Sequence, residues 1–304
     1  MATATGELSG QVPASAARAM PWSAIGWFTA LLIVVYFPIL KHLVNQWATD
    51  EDVGHGFFVP VVACFVAWQR RDQLLKIVPR PAWWGALVIL WSVVQSYIGS
   101  LGAELFLQRS AFIIGLVGVL LLVGGVELTK ALAFPLALLP FMIPIPAVIY
   151  NQITFPLQLF ASSVAETVLG WFNIPVLRDG NVLVLSNQTL NVAEACSGIR
   201  SLLSLTFLSL VYAYFFDKRV WMRWALLFGT IPIAILANAG RVTITGMLSG
   251  VDPDLAHGAP HLIEGWIIFL IAFIMLFVLH FAISRVARWV KRESVSGGKA
   301  VGHA

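Results

Sequence analysis

Three short stretches of the chain hold side chains whose types and spacing suit nucleophilic chemistry. They are EACSGIRS (Glu194 to Ser201), ANAGRVT (Ala237 to Thr243) and HGAPHLIEGW (His257 to Trp266). A free thiol titrates at about 8.5 and is mostly protonated at neutral pH, while the thiolate is the nucleophile. A neighbouring imidazole can take that proton, and a cation or a helix N-terminus lowers the thiol pKa further. A guanidinium can hold the negative oxygen of a tetrahedral intermediate as a preset donor. Cys196, His261 and Arg241 therefore supply thiol, base and cation, the minimum set for acyl transfer to or from a peptide. Each also has a plainer reading. Cys196 suits a small buried filler equally well, and Arg241 can simply snorkel to lipid headgroups. Four histidines (His42, His55, His257 and His261) fall near the same membrane face, so depth does not select one of them. Cys64, between Ala63 and Phe65, reads as a buried filler.

The elements that must position these groups are membrane helices. Of 304 residues, 59% are apolar and only 11% charged, with 12 Trp and 20 Phe, and mean hydropathy is +0.85. Soluble domains carry roughly a quarter charged residues, so this chain lacks their polar coat and reads as a polytopic membrane protein. The net charge of +4 gives no nucleic-acid footprint, because the basic residues fall in loops between apolar runs. Two cysteines without a CxxC spacing exclude a disulfide framework. No metal-ligand or cofactor motif is present, so no metal and no cofactor are expected.

Apolar runs predict eight transmembrane helices over 23–42, 55–69, 83–101, 110–126, 130–147, 198–216, 221–248 and 261–284. The fifth run is interrupted by Pro135, Pro140, Pro144 and Pro146, which makes its boundary uncertain. No cleavable signal peptide is evident before the first run. With a cytoplasmic N-terminus, 14 of the 19 Lys and Arg fall inside, leaving Lys41, Arg109, Arg178, Arg200 and Arg241 outside. The positive-inside rule then puts both termini in the cytoplasm.

The long stretch 148–197 is therefore extracytoplasmic. Ile153, Leu157, Phe160, Val164, Val168 and Trp171 recur at helical spacing, predicting an amphipathic helix from Val148 to Phe172 that lies on the outer leaflet. Asp179-Gly180 between Val-Leu runs predicts a small β-hairpin before the sixth span. The chain thus divides into a flexible head (1–22), five helices (23–147), this external segment (148–197), three helices bearing the chemistry (198–284) and a basic tail (285–304). A helix from Trp221 reaches Arg241 after about 30 Å, one hydrocarbon thickness. Arg241 then belongs at the outer rim, the level at which the sixth and eighth helices begin.

On these residues the sequence resembles the exosortase/archaeosortase family of membrane cysteine transpeptidases. GHGFFVPVVACFVAWQRR (Gly54 to Arg71) looks like its early His-Gly segment, and LRDGNVLVLSNQTLNVAEACSGIRSL (Leu177 to Leu202) is similar to its hallmark. ANAGRV (Ala237 to Val242) and HLIEGW (His261 to Trp266) are similar to its Arg and His elements. The resemblance implies Cys196 as nucleophile, His261 as base or acid and Arg241 as cationic partner. Glu194, Ser197, Arg200, Asn238 and His257 would support the site or bind substrate. It further implies a bacterial cytoplasmic (inner) membrane enzyme with its site facing the periplasm. Its substrates would be exported proteins ending in a Pro-Glu-Pro motif, one transmembrane helix and a basic cluster. Membrane lipids and exopolysaccharide machinery are the other expected partners. Two readings compete: a non-catalytic factor for exopolysaccharide assembly or export, and a small-solute transporter. A transporter predicts ionisable residues near the midplane, whereas here the polar clusters lie at a rim.

Overall fold

The computed structural model describes residues 20–186, 188–192, 199–252 and 258–300. Helix dominates, with one small sheet. Four helical stretches are long and apolar enough to cross a membrane: Asp52–Gln69, Leu105–Val123, Val220–Gly250 and Ile263–Trp289. Two more crossings result if each of two broken pairs, 22–35 with 37–49 and 133–142 with 147–171, is a single span. The expected third span is a shorter apolar helix, Gly85–Leu101, and the expected sixth is helical over Ile199–Phe216. Among the described residues, four to six candidate spans pass on length and hydropathy where eight were expected. Proline accounts for the breaks. Pro38 has no N–H for the Val34 carbonyl and crowds it, so α1 (Trp22–Val35) and α2 (Phe37–Thr49) meet at a 73° bend. Pro140, Pro144 and Pro146 likewise reduce the fifth run to a short helix, a 3₁₀ turn ending at Met142 and a fresh start at Ala147.

The chain divides into two compact units. The first comprises residues 1–49 and 56–143. Besides α1 and α2 it holds α3 (Phe58–Gln69), α4 (Gly85–Leu101) and α5 (Leu105–Val123). Small residues bring α4 and α5 together: a Cβ on Gly118 would lie 2.7 Å from a side-chain carbon of Ile89 and 2.9 Å from its backbone nitrogen. Such close approach is how helices pack where no hydrophobic drive separates them from lipid. Tyr36 donates to the Ser92 carbonyl at 3.2 Å, and Trp47 Nε1 donates to the Met142 carbonyl at 2.9 Å. Cys64 is exposed on α3, in a candidate span. It faces outward and is not the buried filler its neighbours suggested.

The second unit comprises 50–55 and 144–304. It holds α6 (Ala147–Trp171), strands β1 (Val176–Asp179), β2 (Val182–Leu185) and β3 (Thr189–Asn191), then α7 (Ile199–Phe216), α8 (Val220–Val251) and α9 (Gly258–Ala300). The helix expected over Val148 to Phe172 is present as α6. Thr154, Gln158, Ala161, Ser162, Ala165 and Leu169 are buried, while Ile153, Phe160 and Trp171 are exposed. The inward stripe is small or polar because it packs against α8 and the sheet. Ser162 donates to the Gly180 carbonyl at 3.0 Å, and Gln158 accepts from Asn181 at 2.9 Å. The expected hairpin turns at Gly180, whose φ of 61° suits glycine. It is extended by β3 into a three-stranded antiparallel sheet in the order β1-β2-β3.

Helices α7, α8 and α9 share a core of Leu205, Met222, Leu226, Ile233, Ala272 and Leu276, among others. At one end of that core the α7–α8 loop is pinned to α9. Asp217, buried, accepts from Arg219 Nη2 at 2.6 Å and from His280 Nε2 at 3.2 Å, while Tyr212 lies 2.6 Å from His280 Nδ1. The Arg219 hydrogen bonds hold the Asp217 carboxyl well below the usual carboxylate range, and Asp217 in turn pushes the Arg219 guanidinium up.

Candidate active site

Arg241 stands on α8, about 30 Å along the helix from its start by the 1.5 Å rise. Its guanidinium lies over α9 at Gly265, where an added Cβ would be 3.1 Å from Nη2 and 3.3 Å from Cζ. Position 261 precedes Gly265 by one turn and shares its face of the helix. The matched Arg and His elements therefore lie on neighbouring helices at one level, with glycine as the berth between them.

One turn beyond Arg241, Thr245 Oγ1 lies 2.8 and 2.9 Å from the two carboxylate oxygens of Glu264, to which it donates. Both residues are buried. A hydrogen bond to a charged group is worth about 1.5–3 kcal/mol, so this contact clamps α8 to α9 beside both elements. Thr245, Glu264 and Gly265 are site residues to which sequence reasoning gave no role. The acid inside a span opening was the available signal.

Asn238 is buried and faces a different neighbour. With Ala234 and Ile235 it lines a void of about 10 Å³ against Leu157 of α6 and Leu202 of α7, about the space of one water. The start of α7 is thus level with the Asn238–Arg241 turn. The sheet covers the adjoining side of α8, where Leu183, Leu185 and Leu190 pack with Ala239 and Val242.

Cys196, Glu194, Ser197 and His257 lie outside the described residues. Arg200 and His261 are placed as helix positions only, in the first turns of α7 and α9. Of the expected catalytic and supporting residues, Arg241 and Asn238 have described side chains.

The transmembrane exosortase family matches over residues 47–278, from the end of α2 into α9. The chain belongs to that family. No curated protein and no solved structure matches it. Membership agrees with the multi-pass helices. Arg241 and position 261 lie on α8 and α9, which the Thr245–Glu264 contact joins beside them.

Proposed function

We propose that this exosortase family member is a membrane cysteine protease or transpeptidase acting at the extracytoplasmic rim of the bacterial inner membrane. The observation that carries the reading is the Arg241 guanidinium lying on Gly265, one turn from position 261. In this mechanism His261 takes the Cys196 proton, and the thiolate attacks the scissile carbonyl. The resulting oxyanion receives donors from Arg241 and from the N-terminus of α7. Collapse breaks the C–N bond as imidazolium protonates the leaving amine, and the released tail departs with its anchor helix. The thioester is then attacked by an acceptor nucleophile, which loses its proton to His261 and frees the thiol. The family resemblance gives Asn238, Arg200, Glu194, Ser197 and His257 supporting or substrate-binding roles in this reading.

The substrates in this reading are exported proteins with a Pro-Glu-Pro motif, one transmembrane helix and a basic cluster. A site at rim height reaches only a peptide held there by its own anchor. The basic loops support cytoplasmic termini. The test is co-expression with a tail-anchored substrate: Cys196→Ala abolishes processing at normal membrane levels, whereas Cys64→Ala retains it. Processing by Cys196→Ala at the wild-type rate would end the proposal.

A further inference from the structure

The N-terminal unit holds a buried cation that the proposed chemistry does not use. Arg109, on the second turn of α5, is 3% exposed. Among the described residues its one hydrogen bond runs from Nη2 to Nδ1 of His42 on α2, at 3.0 Å, and its Nε–H has no acceptor there. The carboxylate of Glu104 attracts Arg109 through space but gives its hydrogen bond elsewhere, capping α5 by accepting from the Leu107 N–H at 2.8 Å. A buried guanidinium is costly without a directly paired charge, and this through-space share leaves room for a second counter-charge.

The geometry fixes the histidine. Because Nδ1 accepts from Arg109, the proton of neutral His42 sits on Nε2. His42 is exposed, so the pair offers a donor backed by a buried positive charge. A receptor made of donors and positive charge selects an oxyanion. Four residues into α5, Arg109 lies about 6 Å along the helix from its start, a distance a long side chain or its His42 partner can bridge toward lipid headgroups. A groove of about 260 Å³ also runs between α2, α4 and α5. Val35, Ile39 and Val93 give it an apolar floor, and Ser96, Ser100 and Gln108 a polar edge. Its lining reaches Ile39, one turn before His42, and Gln108, the residue before Arg109.

We propose that the N-terminal unit binds a phosphate oxyanion, with His42 Nε2–H as donor to the ligand and Arg109 supplying the charge behind it. The full-length protein in nonionic detergent is titrated with dioleoyl phosphatidylglycerol, with dioleoylglycerol (the same chains without phosphate) and with inorganic phosphate, reading thermal stability. Phosphatidylglycerol raises the melting temperature saturably and dioleoylglycerol does not. His42→Ala, at an exposed position, weakens the apparent affinity about tenfold, as loss of one charge-assisted hydrogen bond requires. Arg109→Gln weakens it similarly while retaining a donor for Nδ1. A response to inorganic phosphate equal to that of the lipid makes free phosphate the ligand of the same site. Equal shifts from phosphatidylglycerol and dioleoylglycerol, or an unchanged affinity in His42→Ala, would overturn the proposal.

Discussion

Gly265→Ala tests whether the Arg241 guanidinium works from a preset position. The added Cβ would lie 3.1 Å from Nη2, 3.3 Å from Cζ and 3.6 Å from Nη1. Favourable carbon contacts begin at about 3.5 Å, so the head group has to retreat by about 0.4 Å. For a unit charge about 3 Å from a developing oxyanion, at an effective dielectric of about 20, that retreat costs about 0.7 kcal/mol, or roughly threefold in rate. Gly265→Val, forcing a retreat of about 1 Å, costs about 1.4 kcal/mol, or roughly tenfold. Arg241→Ala removes the donor and costs about 10²–10³. Stability does not explain such losses, because alanine favours a helix over glycine by about 1 kcal/mol. The assay is the initial rate of cleavage of a tail-anchored reporter by purified variants in lipid nanodiscs. The decisive comparison is the double-mutant cycle. With Arg241→Ala in place there is nothing left to displace, so Gly265→Ala has no further effect. A threefold loss that persists in the Arg241→Ala background would refute the reasoning.

Thr245→Val removes the hydroxyl donor to buried Glu264 and lowers stability by about 1.5–3 kcal/mol, with a matching fall in cleavage rate; Thr245→Ser restores both, as thermal melts and reporter kinetics check. Asp217→Asn lowers stability by about 1–2 kcal/mol at neutral pH, discounted for the exposure of Arg219. The folded-state pKa of Asp217 is depressed, so its contribution is complete above the ordinary carboxylate value of about 4 and is lost as pH falls below it. The melting gap between wild type and Asp217→Asn therefore narrows as pH falls below about 4. Gly125 has φ of 87°, and a Cβ there would run into the Arg80 carbonyl; Gly125→Ala therefore cuts the folded membrane level several-fold, read by immunoblot against Gly102→Ala.

How much of this was legible in the sequence follows from the length of each signal. Apolar runs of some twenty residues are long and redundant, so each expected run contains helix, although the fifth is interrupted between Met142 and Ala147. Whether a helix crosses unbroken depends on single prolines, and the Pro38 break inside the first run went unread. The Asp179-Gly180 turn was legible because its backbone demands glycine. Thr189 reads as a strand position beside Val182 and Val184, but the three residues of β3 are too short a pattern to announce a third strand. The helical spacing of α6 was legible in its apolar residues, of which Ile153, Phe160 and Trp171 are exposed, but the small and polar side that meets α8 and the sheet carries no such pattern. Glu264 was visible as an acid within a span opening, but its partner was not. Thr230 and Thr243 bond their own helix at the Leu226 and Ala239 carbonyls. Only tertiary packing sends the Thr245 hydroxyl across to α9.

The two clamps of the α7–α8–α9 bundle divide its work. Asp217, Arg219 and His280 join α8 to α9 at one end, and Thr245 with Glu264 does so at the other. From Arg219 to Thr245 is about 39 Å of helix, filled by the shared core of Leu226, Ile233 and Ala272. Sites that far apart, with no shared partner, add within about 0.5 kcal/mol. The Asp217→Asn/Thr245→Val double variant should therefore lose the sum of the single stability changes. Its cleavage rate should fall no further than that of Thr245→Val alone, because only the second clamp abuts Arg241 and position 261. Coupling above about 1 kcal/mol between the two ends would show a bundle that transmits strain along its length. The rim site would then be set by the whole bundle, and its preorganisation would not rest on the local contact of Thr245 with Glu264.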